Sequence, residues 1–103
     1  MTLTDIRDLL VQVDPDIRHY FSTETSRDYT YWEETRQLPI TADDRHDEAW
    51  RFCVHRFTRD ERDPVAVAIM QALDHDPRTT VSHLTTHEAD SGYIHHIYDC
   101  EGY

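Results

Sequence analysis

The stretch of sequence that decides the fold is EAWRFCVHRFT, residues 48–58. Its apolar side chains fall on alternate positions, at Trp50, Phe52 and Val54. This period of two is typical of a β-strand that turns one face toward the core. The apolar phase changes at Arg56 and Phe57, which predicts a bulge or a change of packing partner near the end of the strand.

A first amphipathic helix is predicted at the start of the chain. Apolar residues recur there at three- and four-residue spacing, and they are Leu3, Ile6, Leu9, Leu10 and Val13. Either Thr2 or Thr4 can cap this helix. The helix should end at Asp14-Pro15, because the residue before a proline is pushed out of the helical region and proline has no N–H.

A second helix is predicted between two Asp-Pro pairs. Asp63-Pro64 offers an N-cap followed by the favoured first-turn proline, and Asp76-Pro77 closes the helix. The apolar face consists of Val65, Ile69, Ala72 and Leu73. Val67 and Met70 widen the apolar side, so we expect this helix to be the more deeply buried of the two.

The remaining segments predict strands and turns. Residues 17–32 have aromatic and β-branched ends around a polar middle, which predicts a strand, a turn at 22–28 and a second strand. Residues 38–41 are interpreted as a loop with a short strand, and residues 79–99 as a hairpin with its turn at 89–92.

These elements predict one α+β domain over residues 1–103. Its two layers are a mainly antiparallel sheet of four to five strands and two helices packed on one face of that sheet. The predicted core consists of Leu9, Leu10, Trp50, Phe52, Val54, Ile69 and Leu73. These residues are the apolar faces of the two helices and the central strand.

The chain is strongly acidic, which excludes several classes of partner. Asp and Glu number 21 against 10 Lys and Arg, so the formal net charge is -11 at pH 7. Such a surface repels phosphates, so we expect neither sequence-specific nucleic-acid binding nor binding to an anionic membrane. Asp5, Arg7 and Asp8 interrupt the place of a signal peptide, and the apolar run at 65–70 is too short to span a bilayer. We therefore expect a cytoplasmic protein.

The sequence carries no recognisable catalytic motif. It lacks GxSxG and HExxH, and its two glycines cannot form a glycine-rich phosphate loop. Acidic pairs such as Glu33-Glu34 lie at predicted strand ends or in loops, where solvated carboxylates are more common than general acids and bases. We therefore expect a protein that is not an enzyme and uses no cofactor.

Eight histidines and two cysteines raise the alternative of a small metal-binding protein. His95 and His96 are adjacent and would point to opposite faces of a strand. Cys53 and His55 would share a face, and a tetrahedral zinc site would need further ligands from a neighbouring strand. The candidates for those ligands are His83, His87 and His96. The simpler interpretation, which we favour, is that the thiols are free and no metal is bound.

Four segments, taken in order, carry a resemblance to a known family. They are the helix at 5–10 with its end at 13–15, the aromatic strand at 29–32, the segment 42–58 with the helix at 63–73, and the closing stretch 87–96. In this order they resemble the tail completion or tail-terminator (head-tail joining) proteins of siphophages and prophages. The segments span nearly the whole chain, and only their order is specific, since none contains a catalytic signature.

The resemblance implies a structural role in phage or prophage morphogenesis. Proteins of this kind are α+β subunits that assemble as a ring, commonly taken to be hexameric, at the head-proximal end of the tail tube. For this chain the resemblance implies three partners: further copies of itself, the tail tube protein and head connector proteins. It also implies synthesis in the cytoplasm of the bacterial host and a final place in the virion tail.

The predicted joining surface lies in two polar connections, residues 22–28 and 38–47, which are long for a domain of this size. We expect both to be mobile in the free subunit. The predicted contacts to a neighbouring subunit or the tail tube are Arg45, His46 and Asp47. An alternative function is that of an acidic inhibitor or DNA mimic, which would need its carboxylates clustered on one face rather than spread over the loops.

Overall fold

A computed structural model of the chain describes residues 1–40 and 48–103. The elements in chain order are α1 (Leu3–Val13), β1 (Arg18–His19), β2 (Tyr29–Gln37), β3 (Trp50–Thr58), α2 (Pro64–His75), β4 (Thr79–His87) and β5 (Ile94–Gly102). The five strands form one sheet in the order β1-β2-β3-β5-β4. All neighbours are antiparallel except β1 and β2. The predicted two-layer α+β fold is confirmed.

Both helices begin and end where the sequence indicates. At α1, Thr2 and Asp5 form a capping box in which each side chain accepts a hydrogen bond from the other residue's backbone N–H. At α2, the Asp63 carboxylate accepts hydrogen bonds from the backbone N–H groups of Val65 and Ala66. Side-chain oxygens therefore satisfy backbone donors in the first turn of each helix.

The change of apolar phase near the end of β3 comes from a change of packing partner and not from a bulge. Every residue of β3 pairs in unbroken register with β5, so no bulge lies at Arg56. The register shift that does occur lies in β2, between Glu34 and Arg36. Arg56 faces the helices and pairs with Asp63, whereas Phe57 faces the other side of the sheet. The change of packing partner is confirmed and the bulge is wrong.

The segment before β2 differs from its prediction. The first strand is only two residues long, pairs parallel with β2 and is followed by Tyr20 in the left-handed region at φ 76°. The backbone therefore turns away from the sheet almost at once. The short strand expected within 38–41 is absent from residues 38–40, since Pro39 cannot donate to a ladder, and residue 41 lies outside the described part.

The core lies between the helices and one face of the sheet. Five of the predicted core residues are at most 1% exposed: Leu10, Phe52, Val54, Ile69 and Leu73. Leu9 and Trp50 are only partly buried against that core. Trp32 and Tyr98, from β2 and β5, complete the sheet side of the core. In the described ranges, no helix has the length and apolarity needed to cross a membrane.

Candidate interaction surface

The face of the sheet away from the helices, here called the open face, is the candidate functional surface. Strand register places one set of side chains on it: Tyr29, Tyr31, Glu33, Cys53, His55, Phe57, Leu84, His95, Ile97 and Asp99. Both helices pack on the opposite face. The open face is therefore a four-strand surface that neither helix covers, with aromatic and aliphatic groups at its centre.

Aromatic side chains on the open face cover one another. The Phe57 ring is stacked between Tyr29, with ring centroids 4.5 Å apart, and His95, at 4.0 Å. Tyr93, from the β4–β5 turn, sets its ring edge-on to both Tyr29 and Phe57. Phe57 is consequently 6% exposed although no helix lies over it. Stacked and edge-on pairs of this kind stabilise the surface beyond the area that they bury.

A histidine pair lies at the centre of the open face. Nδ1 of His55 is 2.8 Å from Nε2 of His95, and its other ring nitrogen is 3.4 Å from a carboxylate oxygen of Glu33. Burial lowers the pKa of His55, against the opposing charge of Glu33. Burial and the neighbouring His55 also lower the pKa of His95. The pair is therefore neutral at neutral pH and adds no charge to the centre of the open face.

Cys53 lies beside this histidine pair without forming a nucleophilic site. Burial, with the nearby charges of Asp99 and Glu33, raises the pKa of its thiol to about 12. Because the thiolate is the reactive form, the thiol is inert at neutral pH. Charged groups lie at the edge of the patch, where Arg51 and Asp99 form an ion pair at 2.9 Å. The open face therefore has the character of a contact surface with a polar rim.

The metal site considered as an alternative is not assembled within one chain. Cys53 and His55 lie on the open face, but His83, His87 and His96 lie on the helix-bearing face. There His83 and His96 approach to 3.0 Å between ring nitrogens, and His83 stacks on Tyr98. The sheet therefore lies between Cys53 and His55 on one side and these three histidines on the other. Within residues 1–40 and 48–103 no three His, Cys, Asp or Glu side chains form a group that could hold a metal ion.

A buried charge network at one end of the sheet has a structural role. Arg56 is 7% exposed and donates from Nε to an Asp63 oxygen at 2.7 Å and from Nη1 to Thr30 Oγ1 at 3.2 Å. Because Asp63 also caps α2, this contact ties the helix to the sheet. Asp14 and Asp28 lie 4.0 and 3.9 Å from the same guanidinium.

A cleft of about 450 Å³ lies beside this network. Carboxylates and guanidinium groups both line it, among them Asp14, Glu24, Asp28, Arg18, Arg27 and Arg56. This mixture of charges favours neither a cation nor an anion. The cleft therefore indicates no particular ligand.

The predicted contact residues Arg45, His46 and Asp47 lie outside the described residues. The other predicted joining segment, 22–28, is tied to the body of the protein. The Tyr93 hydroxyl lies 2.7 Å from the carbonyl oxygens of Thr25 and Arg27, and the Asp28 carboxylate accepts a hydrogen bond from Thr58 Oγ1. Mobility of this segment remains a prediction, and these contacts anchor its C-terminal half.

Sequence analysis did not identify the open face as a site. The alternation in β3 marks Phe52 and Val54 as core and puts Cys53 and His55 on the other face, where the sequence suggested a metal site as an alternative but no contact surface. The available signal was the aromatic character of both faces, with Tyr29, Tyr31 and Phe57 out of phase with the core residues. No protein-family model matches the chain, and no curated protein matches it.

Proposed function

We propose that the protein is a non-enzymatic assembly subunit that binds protein partners through the open face. The observation that carries this proposal is the stacked aromatic centre of a sheet face that neither helix covers, with charged side chains such as Glu33 and Asp99 around it. Interfaces characteristically have an aromatic centre that is poor in charge and a polar rim. Tyr31, Phe57 and Ile97 lie at the centre of the open face, and Arg51 and Asp99 lie at its rim.

Within that role, we propose tail completion in a siphophage or prophage. Support comes from the ordered resemblance of the sequence segments and from the α+β fold with both helices on one face. In this proposal the subunits form a ring at the head-proximal end of the tail tube, contact the tail tube protein and head connector proteins, and become part of the virion. A net charge of -11 suits a ring that DNA passes through without adhering.

Electron microscopy of tails from a phage or prophage that encodes this chain tests the proposal. Without the gene product we expect tubes of irregular length and heads that remain unattached. Supplying the wild-type protein should restore both properties. Normal tails and normal joining in its absence would contradict the proposed function.

A matched pair of variants tests the surface itself. Ile97→Glu places a charge at the centre of the open face, whereas Val67→Glu places the same charge on α2, where the side chain is 54% exposed. We expect only the first to abolish complementation, because a carboxylate buried in an interface is left unpaired. Tyr31→Glu serves as a second open-face variant, and circular dichroism checks that each variant is folded. Full complementation by folded Ile97→Glu and Tyr31→Glu would exclude the open face.

A further inference from the structure

The two edges of the sheet differ in ways that bear on self-association. At one edge, β1 is two residues long and carries Arg18. At the other edge, β4 runs for nine residues, or about 30 Å, and only β5 pairs with it among the described residues. A short, charged strand protects an edge, whereas a long unpaired strand presents backbone N–H and C=O groups that can bond to another strand.

The composition of β4 sets it apart from the rest of the fold. Its sequence TTVSHLTTH contains no Asp, Glu, Lys or Arg. Each of the other described helices and strands contains at least one of these residues. Threonine and valine, which favour extended backbone, account for five of its nine residues. Two copies of a chain with charge -11 can therefore meet along β4 without bringing carboxylates together.

Charges at the two ends of β4 favour a second copy of the same chain. Arg78 immediately precedes the strand and Glu88 immediately follows it. If two β4 strands pair antiparallel about His83, residue 78 of one copy lies opposite residue 88 of the other. The twofold arrangement then contains two Arg78–Glu88 pairs, one at each end of the joined strands. The Arg78 guanidinium already forms an ion pair with Asp76 of its own chain, at 2.8 Å, but its side chain is 44% exposed and therefore open to a second carboxylate at that end.

We propose that β4 pairs antiparallel with β4 of a second copy, about a twofold axis near His83. The two five-stranded sheets then continue into one another across the interface. The contact uses a sheet edge and leaves the open face free. This inference does not depend on the tail-completion proposal, because a dimer of the free protein would form whatever the open face binds.

Sedimentation of charge variants over a range of concentrations tests the pairing. We expect wild type to dimerise and Glu88→Arg to weaken dimerisation by about tenfold, since two opposed pairs become repulsive. Arg78→Glu should also weaken it, and the double variant Arg78→Glu/Glu88→Arg should recover it in part, because the new carboxylate at position 78 also lies beside Asp76. Glu61→Arg is the matched control, because it makes the same change of net charge at an exposed residue of the β3–α2 connection, outside β4.

Each outcome of this experiment either supports or overturns the proposed β4 pairing. Wild-type protein that is monomeric at millimolar concentration would overturn the proposal. So would equal effects of Glu88→Arg and Glu61→Arg, which would show a general charge effect rather than a contact at β4. A double variant that fails to recover would overturn the antiparallel pairing about His83. Concentration-dependent protection of alternate β4 amides from hydrogen exchange is the expected independent sign of strand pairing.

Discussion

The two faces of the sheet are built from the same strands and yet are held in different ways. On the helix-bearing face, Trp32, Phe52 and Tyr98 are at most 2% exposed beneath α1 and α2. On the open face, Tyr31 and His95 remain partly exposed and stack on their neighbours. The comparison shows that aromatic content alone does not mark a core. A core also needs a layer of structure that covers it. Neither helix covers the open face, and its aromatic side chains shield one another instead.

The largest difference between the faces should come from the buried charge network on the helix-bearing side. Asp63→Ala leaves Arg56 buried without its closest partner and removes the N-cap of α2. We expect a loss of about 3–5 kcal/mol in the free energy of unfolding. Urea denaturation measures it. Asp60→Ala, at an exposed carboxylate nearby, is the control and should cost much less.

The same network predicts sensitivity to acid. Burial alone would raise the pKa of Asp63, but its hydrogen bonds with Arg56, the charge of Arg56 and two backbone N–H groups lower it overall. A carboxyl with a lowered pKa in the folded state stabilises the fold above its unfolded value of 3.8 and loses that contribution as the pH falls through the folded pKa. Stability of the wild type should therefore fall below pH 3.8, and Asp63→Ala should flatten that part of the profile. An unchanged profile would contradict the role assigned to Asp63.

A matched pair of leucines compares the two faces directly. Leu73 on α2 is fully buried, whereas Leu84 on the open face is 50% exposed. We expect Leu73→Ala to cost about 2–5 kcal/mol in the free energy of unfolding, because it leaves a cavity. Leu84→Ala should cost about 0.5 kcal/mol or less in the monomer. Equal losses measured by urea denaturation would show that the open face is packed as tightly as the core.

The contrast between these leucines also shows which features of the fold the sequence predicts and which it does not. Helix ends follow from local chemistry, so Thr2, Asp63 and the Asp-Pro pairs were sufficient to place α1 and α2. The burial of Leu73 and Phe52 follows from periodicity. By contrast, the pairing of His55 with His95 depends on β3 lying beside β5, a long-range relation that no local pattern encodes. The zinc ligand set considered in the sequence is not brought together for the same reason: Cys53 and His55 lie on one face of the sheet and the three candidate histidines on the other, and only the strand register shows this.

The smallest expected effect concerns the histidine pair of the open face, where two influences on the pKa oppose each other. Burial lowers the pKa of His55, and the charge of Glu33 raises it. Burial also lowers the pKa of His95, with His55 acting in the same direction and Glu88 against it. Burial is the larger influence in both residues. The unfolded chain should therefore bind more protons than the folded one just below pH 6.5.

It follows that stability should be complete above pH 6.5 and should decline as the pH falls toward the folded pKa values of the pair. NMR titration of the imidazole signals measures this directly. Glu33→Gln removes the opposing charge and should lower the pKa of His55 further, whereas His55→Gln should reduce the decline in stability. Titration of His55 at or above 6.5 would mean that Glu33 and solvent outweigh burial. In that case the centre of the open face would be charged in mild acid, and the comparison with the helix-bearing face would rest on exposure alone.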